Sequence, residues 1–368
     1  MHYFIYPTKD SWISSGSNRV TLKDEKDQNF GEDQILEVKK VFYNQSFDYP
    51  TRSLIQFDLT EISKSIVDGS ITNPKFYLRL YEAEGNRELS TEYKLSAFPI
   101  SESWDEGTGK FGDDPKVTDG VSWKNRNDYL GSSPTTWSGY SGGTYYSGSG
   151  YQASQSFSYE SPDVNMDVTD IVNNWLGGSD KIDNNGFLLR FSGSQETSDS
   201  ISGQLKFFSR QTHTIYPPKL EIKWDDSVSA TNDNTGSLEE FDVSGVSDNY
   251  LYMIGLRDKY KEKEKIKFRV GARKRYVQKT FSTSVNTISG SYIPAGSGSY
   301  SIIDIGTNDT IIPFSDYTKL SCDSTSNYFI QWMNTFQTNR IYKIIYKVKY
   351  NDGQEVIFDN NFEFKVTG

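Results

Sequence analysis

The clearest patterned run in the chain is 52–59, where apolar Leu54, Ile55, Phe57 and Leu59 are set among polar Arg52, Gln56 and Asp58. No Gly or Pro interrupts it, so it predicts a strand with one face in a core and the other partly covered. Residues 34–38 upstream and 75–81 downstream repeat the theme, the second with a clean period of two. Short strands divided by Asn, Gly, Ser and Pro clusters predict an all-β sandwich or barrel. Two stretches break the strand rhythm. Residues 60–66 predict a short helix or turn. Val168, Ile171, Val172 and Trp175 recur at helical spacing, with Asp167 placed to cap the helix and Gly177-Gly178 to end it, so this helix is expected to close one end of the sandwich.

The C-terminal third is again strand-like. Ile266, Phe268 and Val270 alternate with Lys265, Lys267 and Arg269. Residues 301–305 and 310–314 flank a turn at 306–309, and 340–349 and 354–358 flank Asn351-Asp352-Gly353, whose glycine supplies the positive φ a tight hairpin needs. A last strand is expected at 361–366. The spacing fits an immunoglobulin-like or fibronectin-like sandwich. At 368 residues the chain exceeds the roughly 250–300 that one core supports. Residues 226–237 have the composition of a linker, so the expected division is 1–225, a linker at 226–237, and 238–368.

Composition narrows the chemistry. Aromatic residues make up 15%, which favours strands and excludes a disordered chain. A net charge of −10 argues against general nucleic-acid binding. No apolar run approaches the ~20 residues of a membrane span, and the first residues lack the basic and long apolar regions of a secretory signal. Cys322 is the only cysteine, read as a buried thiol, and His2 and His213 are the only histidines. That excludes an intrachain disulfide and leaves a Ser/His/acid triad or a zinc site poorly supplied, so no cofactor and no metal are expected. The oxygen-rich segment 24–33 matches no known calcium loop and reads as an acidic turn.

Two stretches are candidates for contact. Residues 131–159 form a long Gly/Ser-rich insertion carrying Trp137, Tyr140, Tyr145, Tyr146 and Tyr151, the composition of an adaptable binding loop. Three uses stay open: folding back on its own sandwich, packing on a neighbouring subunit, or stacking on sugar rings. From 257 to 279 there are eleven Lys or Arg against three Asp or Glu. The strip Arg257, Lys259, Lys261, Lys263, Lys265, Lys267, Arg269, Arg273, Lys274 and Arg275 is either a solvated edge strand that resists aggregation or a dock for an acidic neighbour. A glycosidase needs two flanking carboxylates, and Asp105, Glu106, Asp113 and Asp114 lie near the insertion. Acidic residues are abundant throughout, so catalysis is not expected. Arg210, at a strand end, is expected to pair with a buried carboxylate.

The ordered series of the 52–59 run, Leu78-Arg79-Leu80-Tyr81, Trp104-Asp105-Glu106, Val121-Ser122-Trp123, the 167–175 segment, Gly186-Phe187-Leu188-Leu189, Phe208-Ser209-Arg210 and Pro218-Lys219-Leu220-Glu221-Ile222 resembles the DNRLRE-type domain over about residues 3–225. That resemblance implies a jelly-roll β-sandwich related to carbohydrate-binding modules and found in adhesins, wall-associated proteins and phage virion proteins. Residues 342–348, 357–359 and 362–366 resemble the end of structural proteins from T4-like tailed marine phages. Together the two imply a non-enzymatic virion protein of tail, neck or baseplate, assembled in several copies in the host cytoplasm. Its partners would be other virion proteins and host polysaccharide, with no nucleic acid and no membrane. A glycan-binding adhesion module, with Trp137, Tyr140, Tyr145 and Tyr146 as platform, is the alternative. A polysaccharide-degrading enzyme using Asp105 or Glu106 is the third.

Overall fold

The 52–59 run forms the strand Thr51–Phe57 in a five-stranded antiparallel sheet of order Ala153–Phe157, Tyr93–Pro99, Phe187–Phe191, Thr51–Phe57, Pro7–Ser14. Register places Leu54 between Leu188 and Ser11, and Leu188 also faces Phe98. Leu54 and Ile55 point to opposite faces, yet both are fully buried. Adjacent apolar residues in one strand therefore mean that both faces of this sheet are covered.

This is a computed structural model, and it describes residues 1–16, 24–40, 49–84, 92–129, 132–139, 141–158, 163–178, 181–197, 203–245, 249–276, 281 and 290–368. They form an all-β protein of sandwich type with a few short helices. Two compact units divide the chain. The N-terminal unit holds Ile5–Ser70 and Lys75–Ile222, and the C-terminal unit holds Met1–Phe4, Ile71–Pro74 and Lys223–Gly368.

In the N-terminal unit, the five-stranded sheet is accompanied by the strands Ile35–Lys40, Gly203–Phe208 and Glu82–Glu84, and by Lys219–Lys223, Lys75–Leu80 and Val164–Asp167. The hydroxyls of Thr51 and Ser53 both donate to the Glu37 carbonyl, at 3.2 and 3.0 Å, and tie two of these sheets together. The expected helix spans Thr169–Leu176 and buries Ile171, Val172 and Trp175. Its capping differs from expectation. Val168 is the N-cap, while Asp167 ends a strand and accepts the Thr169 N–H at 3.0 Å. Gly177 leaves the helix in an extended conformation rather than a left-handed one.

The 131–159 insertion is not a free loop. Pro134–Thr136 pairs with Asn125–Asp128, and Ala153–Phe157 joins the edge of the five-stranded sheet beside Tyr93–Pro99. Trp137 sits in a buried cluster with Ile13, Leu54, Phe98, Ile100, Trp104, Val121 and Leu188. Without this cover the Leu54–Leu188–Phe98 row would face water. Burying an indole is worth on the order of 4 kcal/mol, which explains why the segment folds back. Gly31 marks another close approach, since a Cβ there would lie 2.1 Å from the Glu106 carbonyl oxygen.

The C-terminal unit is built of two sheets. One sheet runs Glu239–Glu240, Ser291–Tyr292, Lys265–Lys274, Asn327–Trp332, Ser321–Cys322, with Asn249–Ile254 on the other side of Lys265–Lys274. The other runs Lys259–Lys261, Glu355–Thr367, Ile341–Lys349, Gly298–Asp304, Thr310–Ile312. Phe268, Phe329, Tyr346 and Phe364 form its aromatic core, with Tyr300 stacked on Phe329 at 3.8 Å. The Asp352-Gly353 turn forms as expected, with Gly353 at φ 87°. The two strands expected after it are one, Glu355–Thr367. A bulge opposite Ile344–Tyr346 and a left-handed Asn361 at φ 54° let the strand continue. Lys265–Lys274 is interior to its sheet, paired on both sides, so the edge-strand reading fails for its cations, whereas Lys259–Lys261 does form an edge of the other sheet. Residues 226–237 are tied to this unit, because the Cys322 N–H donates to the Val228 carbonyl at 3.0 Å. No described helix is long and apolar enough to cross a membrane.

Candidate functional site

Trp137 is 5% exposed and donates its indole N–H to the Ser122 carbonyl at 3.0 Å, so its ring is a core element. Tyr145 is engaged as well. Its ring packs on Phe98 at 4.6 Å and its hydroxyl accepts from Arg190 Nη1 at 2.6 Å. Tyr140 lies outside the described residues. Tyr146 and Tyr151 form a pair, ring centroids 5.7 Å apart and 30° between planes, and Tyr146 is 37% exposed. The Tyr146 N–H donates to the Pro99 carbonyl at 2.9 Å, and Asn174 Nδ2 holds the Gly150 carbonyl at 2.8 Å. Of the five aromatic residues singled out in the sequence, these two form the solvent-presented pair.

A groove of about 500 Å³ opens near the same end of the sheet, lined by Thr8, Gln56, Asp58, Thr60, Ser63 and Asn184 over Phe57, Leu59, Trp175 and Leu176. Its polar walls are held in place. Asp58 Oδ1 accepts both the N–H and the hydroxyl of Thr60, at 2.9 and 2.6 Å, and these bonds hold its carboxyl below the usual range. Gln56 Nε2 donates to the Asn184 carbonyl at 2.5 Å, and Asn184 Nδ2 donates to the Phe57 carbonyl at 2.9 Å. Asn184 Oδ1 in turn accepts the Gly186 N–H at 3.2 Å. Pro99, which anchors Tyr146, is the register partner of Phe187, and the Phe187 ring packs on the groove residues Phe57 and Trp175, at 6.2 and 4.7 Å. The groove and the tyrosine pair are linked again through the Thr169–Leu176 helix, whose Asn174 holds the tyrosine loop while Trp175 and Leu176 line the groove. The groove's carboxylate, amides and hydroxyls can bond a polyhydroxylated ligand, and an exposed tyrosine ring can stack on the apolar face of a sugar.

Sequence reasoning missed the groove. Its walls come from residues more than 100 positions apart, and only the Asp58–Thr60 turn and the Asp183-Asn184-Asn185-Gly186 turn cluster carry a local signal.

Several of the acidic and basic candidates are engaged in ion pairs or hydrogen bonds. Arg210 grips Glu106 bidentately, Nε–Oε1 at 2.7 Å and Nη2–Oε2 at 2.8 Å, and its backbone N–H donates to buried Asp10 at 2.7 Å. The pairing expected of Arg210 is thus present, and Glu106 is committed to it. Asp113 accepts the Lys110 N–H at 2.7 Å. In the 24–33 segment, Glu25 accepts from Ser14, Asp27 pairs with Lys116 and Asp33 accepts from Trp12. Among the described residues no group of three His, Cys, Asp or Glu is placed to hold a metal. Cys322 is buried, and burial pushes its thiol up to about 11.

The family model of carbohydrate-binding module family 96 matches residues 2–224. The chain belongs to carbohydrate-binding module family 96. The match takes in the groove, the tyrosine pair and the five-stranded sheet. No curated protein matches the chain. A solved structure, the adhesin domain of Epf from Streptococcus pyogenes, aligns with 100% of this chain and 92% of that chain at 8% identity and a TM-score of 0.17. The resemblance to a carbohydrate-binding-related sandwich is therefore upheld by the family.

Within this carbohydrate-binding module chain, the fold divides the basic strip between two sheets. Arg257 pairs with Glu264, and Arg269 holds Asp323 at 2.8 and 2.9 Å. Lys259 and Lys261 lie on a strand of one sheet, and Lys265, Lys267, Arg269, Arg273 and Lys274 on a strand of the other. Lys263 and Arg275 are exposed residues outside these strands.

Proposed function

We propose that this protein is a non-catalytic carbohydrate-binding module whose ligand occupies the groove beside Asp58 and Asn184 and stacks on Tyr146 and Tyr151. The family match over residues 2–224 is the observation that supports it most strongly. In this reading Asp58 accepts sugar hydroxyls, Thr8 and Ser63 exchange hydrogen bonds with them, and the tyrosine rings cover an apolar ring face. The engagement of Glu106 by Arg210 supports a binding rather than a hydrolytic role. The module's mounting on a phage particle, as part of a tail, neck or baseplate, stands as a proposal about its setting. Mass spectrometry of purified particles tests that setting.

Affinity electrophoresis of the full chain through gels containing individual polysaccharides tests the binding site. Retardation by at least one polysaccharide is expected, and Tyr146→Ala with Tyr151→Ala should weaken it at least about tenfold, the equivalent of 1.4 kcal/mol. Unchanged retardation in that double variant overturns the site. Release of new reducing ends by the wild type, abolished in Glu106→Gln, overturns the non-catalytic reading.

A further inference from the structure

The outer face of the sheet built on Lys265–Lys274 combines a row of cations with aromatic residues. Register puts Lys265, Lys267, Arg269, Gly271 and Arg273 on one side of the strand Lys265–Lys274, the side opposite buried Phe268, Val270 and Ala272. On one flank the register partners are Trp332, Ile330 and Tyr328, and on the other Tyr250, Tyr252 and Ile254. Each cation but Arg269 rests on a single ring: Lys265 over Trp332 at 4.8 Å, Lys267 over Tyr328 at 4.0 Å and Arg273 over Tyr250 at 4.9 Å. Arg269 is 5.8 Å from Tyr328 and is also held by Asp323. Gly271 leaves the row open for Tyr252, because a Cβ there would lie 2.4 Å from the Tyr252 ring.

We infer that this face binds a linear anionic polysaccharide, at a site separate from the groove of the N-terminal unit. Successive same-face residues on a strand lie about 6.7 Å apart, so the four cations form a straight row of fixed positive charge. Asp323 is the only carboxylate paired to that row in the described structure, and Lys267 and Arg269 share it. A row of this kind matches a chain polymer with regularly repeated carboxylate or sulfate groups. Ring contacts hold three of the cations in place before any ligand arrives, which lowers the ordering cost of binding. The Tyr250–Tyr252 pair, ring centroids 6.4 Å apart with Tyr250 37% exposed and Arg273 over its ring, adds aromatic surface at one end of the charge row. Bases of a nucleic acid need several open rings for stacking, whereas Tyr328 is 9% exposed with Lys267 above it. The chain's net charge of −10 repels a polyanion elsewhere and confines it to this face.

The test is affinity electrophoresis of the full chain through polygalacturonate, dextran sulfate and neutral dextran at several salt concentrations. Retardation is expected by one or both polyanions and not by dextran through this face. Lys265→Ala with Lys267→Ala should weaken it tenfold or more and lower the slope of log K against log salt by about one per cation removed. The lysine variant should keep whatever retardation by neutral polysaccharides the wild type shows, so loss of this site and loss of the groove reading are told apart. Circular dichroism of the lysine variant guards against misfolding, and Lys267→Glu gives a second reading of the same face. Retention of polyanion binding by both variants overturns the inference. So does tighter binding to oligo(dT) than to either polysaccharide at equal salt, or a concentration-dependent dimer that the lysine variant abolishes.

Discussion

Asp10 shows how one side chain can be costly and still specified. It is fully buried, its Oδ2 accepts the Arg210 N–H, and its Oδ1 has no partner. Burial raises its carboxyl from 3.8 to about 8, outweighing the Arg210 hydrogen bond. Below pH 4 both folded and unfolded forms hold the proton and nothing is lost. Between pH 4 and 8 the unfolded chain ionises while the folded one keeps its proton, so this residue's contribution to stability falls as pH rises, then levels off above 8. The slope is at most about 1.4 kcal/mol per pH unit. Asp10→Asn should remove that slope, and urea melts of both proteins between pH 5 and 8 will show it. Local sequence gave no sign of this, since Asp10 sits in the polar run Thr8-Lys9-Asp10-Ser11. The N–H that its Oδ2 accepts comes from Arg210, 200 positions away.

At the scale of the element, alternation was a good guide wherever a strand had one wet face. Lys75–Leu80 and Gly203–Phe208 alternate as their sequences suggest. The pattern fell short where a segment's role depends on a distant partner. The 131–159 stretch reads as Gly/Ser-rich loop, but the uncovered Leu54–Leu188–Phe98 row draws Trp137 into the core. Trp137→Ala should cost about 3–5 kcal/mol, while Tyr146→Ala should leave the melting temperature nearly unchanged. Thermal denaturation of the two variants separates a core ring from a binding ring. The short helix Gly193–Thr197 supplies Glu196, 7% exposed, which takes both Arg52 nitrogens at 3.0 Å and also pairs with Arg190. Arg52 in turn donates to the Gly142 carbonyl at 2.6 Å and so fastens the insertion to the sheet. Glu196→Gln leaves two nearly buried guanidinium groups without their counter-charge and should cost about 3–5 kcal/mol in chemical denaturation.

For the molecule as a whole, the sequence led to an all-β chain of sandwich type and a carbohydrate-binding-related N-terminal part, both of which stand. The turn chemistry at Asp352-Gly353 and the strand at Thr51–Phe57 were legible because their causes are local. The groove was not, since Asp58, Trp175 and Asn184 meet only once the sheet is assembled. The order of preference among functions changes with it. Glycan binding, second in the sequence reading, leads once the family match and the groove are combined. On the two proposals made above, the groove of one unit and the cationic sheet face of the other would each hold polysaccharide. If both engage one polymer, the second contact becomes intramolecular and the apparent affinity exceeds that of either.

The most direct test is retardation of the wild-type chain in gels holding a panel of neutral and acidic polysaccharides, run beside Tyr146→Ala with Tyr151→Ala. The account predicts that at least one neutral polysaccharide slows the wild type and that the double variant migrates at least about tenfold less tightly bound while melting at the same temperature. Free migration of the wild type through every gel would contradict it.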